Sequence, residues 1–216
     1  MVSRRVSCGI SFPKRAAVPS IGVFHPQVVH FVIAFLFAGV ILRVISLFRW
    51  KEAFFDPAAR LLVVAGAVAT ILAVKSGTDA HGPAERIPGA RDAVAEHEEL
   101  GERARNLFLV VAALELAALA LGTRPIRRGA TIAAAVAGLA GLWVLYETAE
   151  HGGELVYAYA GGVGTRSGEP EDVRRLLLAG LYQGAQVDRR EHRPEEAARL
   201  IEEMVRRFPD DRDVKL

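Results

Sequence analysis

The chain has 216 residues, 51% hydrophobic and 24% charged, with a formal net charge of +2. So small an excess, with no basic face interleaved with aromatics, excludes the electrostatics of a nucleic-acid-binding protein. A single cysteine, Cys8, excludes a disulfide framework and a cysteine-based metal site.

Residues 1–23 carry Arg4 and Arg5 but no apolar run directly behind them, so they read as a disordered tail and not as a cleaved signal peptide. Uncharged apolar runs then fill residues 28–42, 61–74, 106–114 with 116–123, and 129–146. Four such runs in about 150 residues predict an all-α protein: an up-down four-helix transmembrane bundle with a soluble C-terminal helical hairpin. The membrane domain covers 24–164, with spans at about 26–48, 57–76, 95–122 and 129–150. A hinge occupies 165–170 and the hairpin 171–216.

The first span starts with Pro26, at home in a first helical position, and contains Arg43 in its far half; Trp50 and Lys51 mark an interface. The second starts with Asp56 as N-cap before Pro57, and reaches membrane length only if Arg60 and Lys75 snorkel from its ends. SGTDAHGPAERIPG then breaks the chain. The third helix begins near Arg91 with a polar first part and carries Glu115 inside its apolar run. GTRPIRRG makes a tight basic turn. The fourth helix is rich in small residues, including Ala134-xxx-Gly138 and Ala137-xxx-Gly141, which either permit close approach in lipid or reflect composition.

Short connections put the start of the first helix, the second connection and the end of the fourth helix on one face. His25, His30, His81, His97 and His151 all fall at that end. The short basic turns lie at the other end, which the positive-inside tendency assigns to the cytoplasm, so the histidine end faces outward.

HPQVVHFVIAF at 25–35 resembles the opening segment of a bacterial family of four-helix membrane proteins of unknown function. HGGELVYAYAGGVG at 151–164 is similar to the segment that closes the same domain, and HEEL at 97–100 to its histidine at the start of the third helix. Val32 stands where that family usually has proline, and Tyr159 where a histidine is common. The resemblance spans about residues 24–164 and implies a multi-pass protein of the bacterial cytoplasmic membrane.

Three constellations could carry chemistry. Neutral imidazole binds haem iron, zinc or copper, and two rings on facing helices can hold a b-type haem. His30 lies about one turn inside the first helix, so its ring is expected to turn inward, toward His97 and His151, as a haem or transition-metal ligand. His25 and His81 complete the metal-ligand candidates. His25 lies about 140° round the helix from His30 and reads as the helix start at the membrane surface. The competing reading is that no cofactor binds and the rings only cap helices and hydrogen-bond neighbours. Second, Arg43 and Glu115 are costly in apolar spans and read as an ion pair between the first and third helices; a proton relay through Glu115, or snorkelling of Arg43, are the alternatives. Third, Glu147, Glu150 and Glu154 flank His151, and Asp79 lies near His81, as second-sphere partners or solvated caps. No nucleophile motif, phosphate loop or HExxH appears, so no catalytic residue is assigned.

Residues 179–211 resemble one tetratricopeptide repeat at Ala185, at Pro194-Glu195-Glu196-Ala197, at Ile201 and at Pro209; Asp188 departs from the usual aromatic. A single repeat cannot bury its own face, so Leu181, Leu200, Ile201 and Met204 are expected to meet the bundle, a second copy or a partner. Two functions follow: a haem- or metal-binding redox module, or a non-catalytic membrane scaffold whose hairpin binds a partner or self-associates.

Overall fold

A computed structural model describes residues 21–49, 52–120, 123–162, 168–211 and 214. The N-terminal segment through residue 20, Trp50 with Lys51, and residues 165–167 of the expected hinge lie outside the described residues. The order is a 3-10 turn, Ile21–Phe24, then α1 (His25–Phe48), α2 (Phe55–Glu85), α3 (Arg91–Ala120), α4 (Arg124–Tyr157), α5 (Pro170–Arg190) and α6 (Pro194–Arg207). No strand occurs among the described residues.

The first four helices pack in a ring, α1 on α2, α2 on α3, α3 on α4 and, less extensively, α4 on α1. α1 and α3 are therefore diagonal. Val32, Leu36, Val40, Val63, Phe108, Val111 and Leu145 form the buried core. Glycines let the backbones approach: Leu36 fills the space a side chain would need at Gly66, and Val63 does so at Gly39. On α4, Gly138 receives Val40 of α1, and Gly141 receives the Phe108 ring of α3. The small-residue face of the fourth helix is thus a packing surface.

Three helical segments, Ile21–Phe48, Phe55–Glu85 and Pro125–Tyr157, are long and apolar enough to cross a membrane. Only 28–33% of their most apolar windows is buried, so most of the apolar surface faces outward, as lipid requires. Leu61, Val136 and Trp143, for example, are exposed. α3 does not meet the same measure, although it runs between the two ends of the bundle like its neighbours. Every 18-residue stretch within Arg91–Ala120 contains at least three charged residues, because charge persists through Arg105 and returns at Glu115.

Two ends run further than expected. α2 continues through SGTDAHGP to Glu85, with Pro83 inside it, and the chain turns only at Gly89, where φ is +85°. Contacts to α3 hold that last stretch, with His81 Nδ1 2.8 Å from Glu98 Oε2. α4 likewise continues through Gly152 and Gly153 to Tyr157, because Gly152 serves close packing against α3 and not chain termination.

α5 and α6 form an antiparallel hairpin around Ala185, Ala197, Met204 and Phe208. Arg174 lies over the Phe208 ring at 5.2 Å from its centroid. Of the four side chains expected to seek an outside partner, Met204 is buried within the hairpin, Leu181 and Leu200 are half-buried, and Ile201 is exposed.

Candidate functional site

Polar side chains enter the bundle at both ends. At the end formed by the α1–α2 and α3–α4 turns, Arg43 is 1% exposed and Glu115 fully buried. Arg43 donates through Nε to Glu115 Oε1 at 2.5 Å and through a second guanidinium nitrogen to Oε2. This is a forked ion pair between the diagonal helices. The remaining Arg43 nitrogen donates to Asp56 Oδ1 at 2.6 Å and to Ser46 Oγ at 3.0 Å. Asp56 Oδ2 in turn accepts from Arg60 at 2.8 Å and from Arg127 at 3.1 Å. One ionic cluster therefore ties α1, α2, α3 and α4.

Two expectations change here. Asp56 makes no N-cap hydrogen bond; it lies in the first turn of α2 and serves the arginines. Arg60 does not snorkel to water but turns in to Asp56, with 12% of its side chain exposed. The signal for Asp56 was present, since a carboxylate thirteen residues after a buried arginine sits just across a tight helical turn.

At the opposite end the roles of the first two histidines are the reverse of those expected. His30 is exposed, and its Nδ1 lies 2.5 Å from the Pro26 carbonyl of its own helix. His25 instead reaches α2, where its Nδ1–H is shared between the Ala73 carbonyl at 3.1 Å and Ser76 Oγ at 2.9 Å. The reason is steric and polar together. Gly77 leaves room for the ring, whose Cε1 lies 3.1 Å from where a Cβ would be, and Ser76 offers a hydroxyl beside it.

His97 on α3 packs against α4, donating Nδ1–H to the Thr148 carbonyl at 3.0 Å. Gly152 makes this possible, because a Cβ there would sit 2.9 Å from His97 Cε1. His25 and His97 meet edge to face, with ring centroids 6.2 Å apart and planes at 79°. A carbonyl can only accept, so each ring carries its proton on Nδ1 and, when neutral, keeps a lone pair on Nε2.

The other two histidines stand apart from this pair. His151 Nδ1–H donates to the Glu147 carbonyl at 2.9 Å, while Nε2 lies 3.3 Å from Glu96 Oε1. His81 bridges α2 to Glu98 of α3. Among the described residues no three His, Cys, Asp or Glu side chains converge on a metal-sized position. His30, His97 and His151 are not brought together as one ligand set.

The geometry is that of a membrane bundle with polar locks, and sequence comparison agrees. Residues 23–165 match the model of a family described as "Predicted membrane protein (DUF2231)". The chain belongs to this family. The matched residues take in the whole α1–α4 domain of this DUF2231 protein and stop before the hairpin. No curated protein and no solved structure matches the chain.

Proposed function

We propose that the DUF2231 domain of this integral membrane protein binds a transition-metal ion through Nε2 of His25 and His97, at the outer face of the bacterial cytoplasmic membrane. The observation that carries this reading is the paired anchoring of the two rings. Each Nδ1–H is spent on a backbone carbonyl of a neighbouring helix, which orients the ring and leaves Nε2 as the basic nitrogen. The ring centroids lie 6.2 Å apart, within the span of one ion held about 2 Å from each Nε2. Imidazole ligands suit copper, zinc, iron or nickel; copper or iron would make the domain a redox module. Haem ligation by the same two rings is the larger version of this proposal. Placement of this end outside rests on Arg127 and Arg128 at the start of α4, at the other end.

Elemental analysis of the chain purified in detergent, after incubation with copper or zinc salts, tests the proposal. About one ion per chain is expected, lost in His25→Ala and in His97→Ala. A Soret band would identify haem instead. Absence of both stoichiometric metal and haem overturns the reading.

A second reading, a non-catalytic scaffold, is favoured by one feature. The hairpin leaves Leu176, Leu177, Tyr182, Ile201 and Val205 exposed, an apolar surface suited to a protein partner or a second copy. Co-purification of a partner, abolished by deleting residues 168–216, would support it.

A further inference from the structure

The ionic end of the bundle carries more positive than negative charge. Among the described residues, the ion pairs of Arg43, Arg60 and Arg127 go only to Asp56 and Glu115, and Glu115 has both oxygens taken by Arg43. Arg60 Nε is buried, lies 3.7 Å from Glu115 Oε2 and makes no hydrogen bond. Arg60 and Arg127 converge on one oxygen, Asp56 Oδ2, and each guanidinium has five N–H donors for that one acceptor. Two cations held beside each other by half a carboxylate make an anion-seeking surface. Neither α2 nor α4, which both start here, has a side-chain cap on its first turn, so the positive ends of two helix dipoles add to the field.

The cluster lies at a particular depth. Asp56 and Arg127 are in the first turns of two membrane-spanning helices, the level at which lipid phosphates sit. Leu61, just deeper than Arg60 on α2, and Ile132, just over a turn deeper than Arg127 on α4, are 69% and 43% exposed. Arg127 itself is half exposed, so the surface is open to a ligand from the bilayer side.

We infer that Arg60 and Arg127 bind the phosphate of an anionic lipid headgroup, whose acyl chains run toward the bilayer centre along Leu61 and Ile132. The phosphate oxygens supply the acceptors that Asp56 cannot, and their charge neutralises the excess cation. A free phosphate offers the same oxygens without the acyl chains, so the two sources are separable. The site is at the opposite end from the histidines and does not depend on metal binding.

The test uses the full chain in neutral detergent, with thermal unfolding followed during titration with three probes. These are short-chain phosphatidylglycerol, phosphatidylcholine of the same chain length, and inorganic phosphate. The expected result is a saturable rise in Tm with phosphatidylglycerol only. In Arg127→Gln the midpoint of that titration should weaken roughly fivefold, the share of one basic residue at a membrane surface. Arg127→Lys keeps the charge but loses the fork, and should weaken it too. Arg103→Gln removes a cation on α3 (in the half that holds the histidines) and should leave the midpoint unchanged. Arg127 is half exposed with one side-chain bond, so its replacement leaves the bundle core intact and the titration readable. An equal response to inorganic phosphate overturns the lipid assignment. An unchanged midpoint in Arg127→Gln, or equal responses to the two lipids, overturns the site.

Discussion

Arg43 and Glu115 pair across the diagonal of the bundle, and His25 and His97 meet across the same diagonal at its other end. Eighteen residues separate His25 from Arg43 on α1, and eighteen separate His97 from Glu115 on α3. Eighteen residues are five turns of 3.6, so each helix presents both of its polar side chains on one face. The rise is about 27 Å, close to the thickness of a bilayer's hydrocarbon core. The two diagonal helices are thus joined by polar groups at each membrane edge and by apolar packing between.

Replacing Arg43 by Met should destabilise the protein by about 3–5 kcal/mol, because Glu115 is left as a buried, poorly paired charge. Glu115→Gln should cost less, since Arg43 keeps Asp56 as an acceptor. The double variant Arg43→Met with Glu115→Met should recover part of the loss. Thermal unfolding in detergent checks the order. Equal, negligible effects of both single changes would refute a structural ion pair.

Glycine substitutions should separate packing from composition. At Gly39 a Cβ would lie 2.9 Å from the Val63 backbone nitrogen, which cannot swing aside, so Gly39→Ala should cost about 1–3 kcal/mol. Gly129 in α4 has nothing within 4 Å, and Gly129→Ala should stabilise by up to about 1 kcal/mol. The same unfolding measurement reports both, and a similar effect at the two sites would count against the α1–α2 contact described.

Gly152→Ala should push His97 off the Thr148 carbonyl, while His30→Ala should change little, its ring being exposed and bonded within its own helix. Metal retention after dialysis provides the comparison: loss in Gly152→Ala with retention in His30→Ala is the expected pattern. Loss only in His30→Ala would return the site to the outer surface of α1.

The hairpin should respond to acid independently of the bundle. Arg207, joined by Arg206, holds Glu203 below the usual carboxylate range. Its contribution is present above the unfolded-state pKa and disappears as pH falls through the lower folded value. Glu203→Gln should therefore lower the stability of α6 slightly at neutral pH, leave it unchanged in strong acid and so flatten the acid limb, read by amide exchange of that helix. A variant that retains the full acid limb would show that Glu203 contributes nothing there.

Deleting residues 168–216 should leave the unfolding temperature of the α1–α4 domain close to that of the full chain, because α5 packs on α6. A fall of several degrees would reveal a dependence of the bundle on its hairpin.

Much of this was legible in the residues. Apolar runs located the helices, and Arg43 and Glu115 stood out because charge within such runs needs a partner. The third helix gives the weakest signal, because its C-terminal half is apolar while its N-terminal half carries Glu98, Glu99, Glu102, Arg103 and Arg105. The glycines at 77 and 152 misled. Gly before a turn-rich stretch reads as a stop, yet each is a space into which an imidazole from another helix fits.

By itself, then, the sequence determined an all-helical membrane protein, the end at which its histidines lie, and the eighteen-residue spacing that aligns polar groups on α1 and α3. Only the tertiary structure decided which ring points inward. His25 and His30 are about 140° apart on one helix, so helical periodicity can turn one in but not say which. That choice belongs to the neighbours: Ser76 and Gly77 on α2 supply an acceptor and a space for His25, and His30, facing the other way, has only its own backbone.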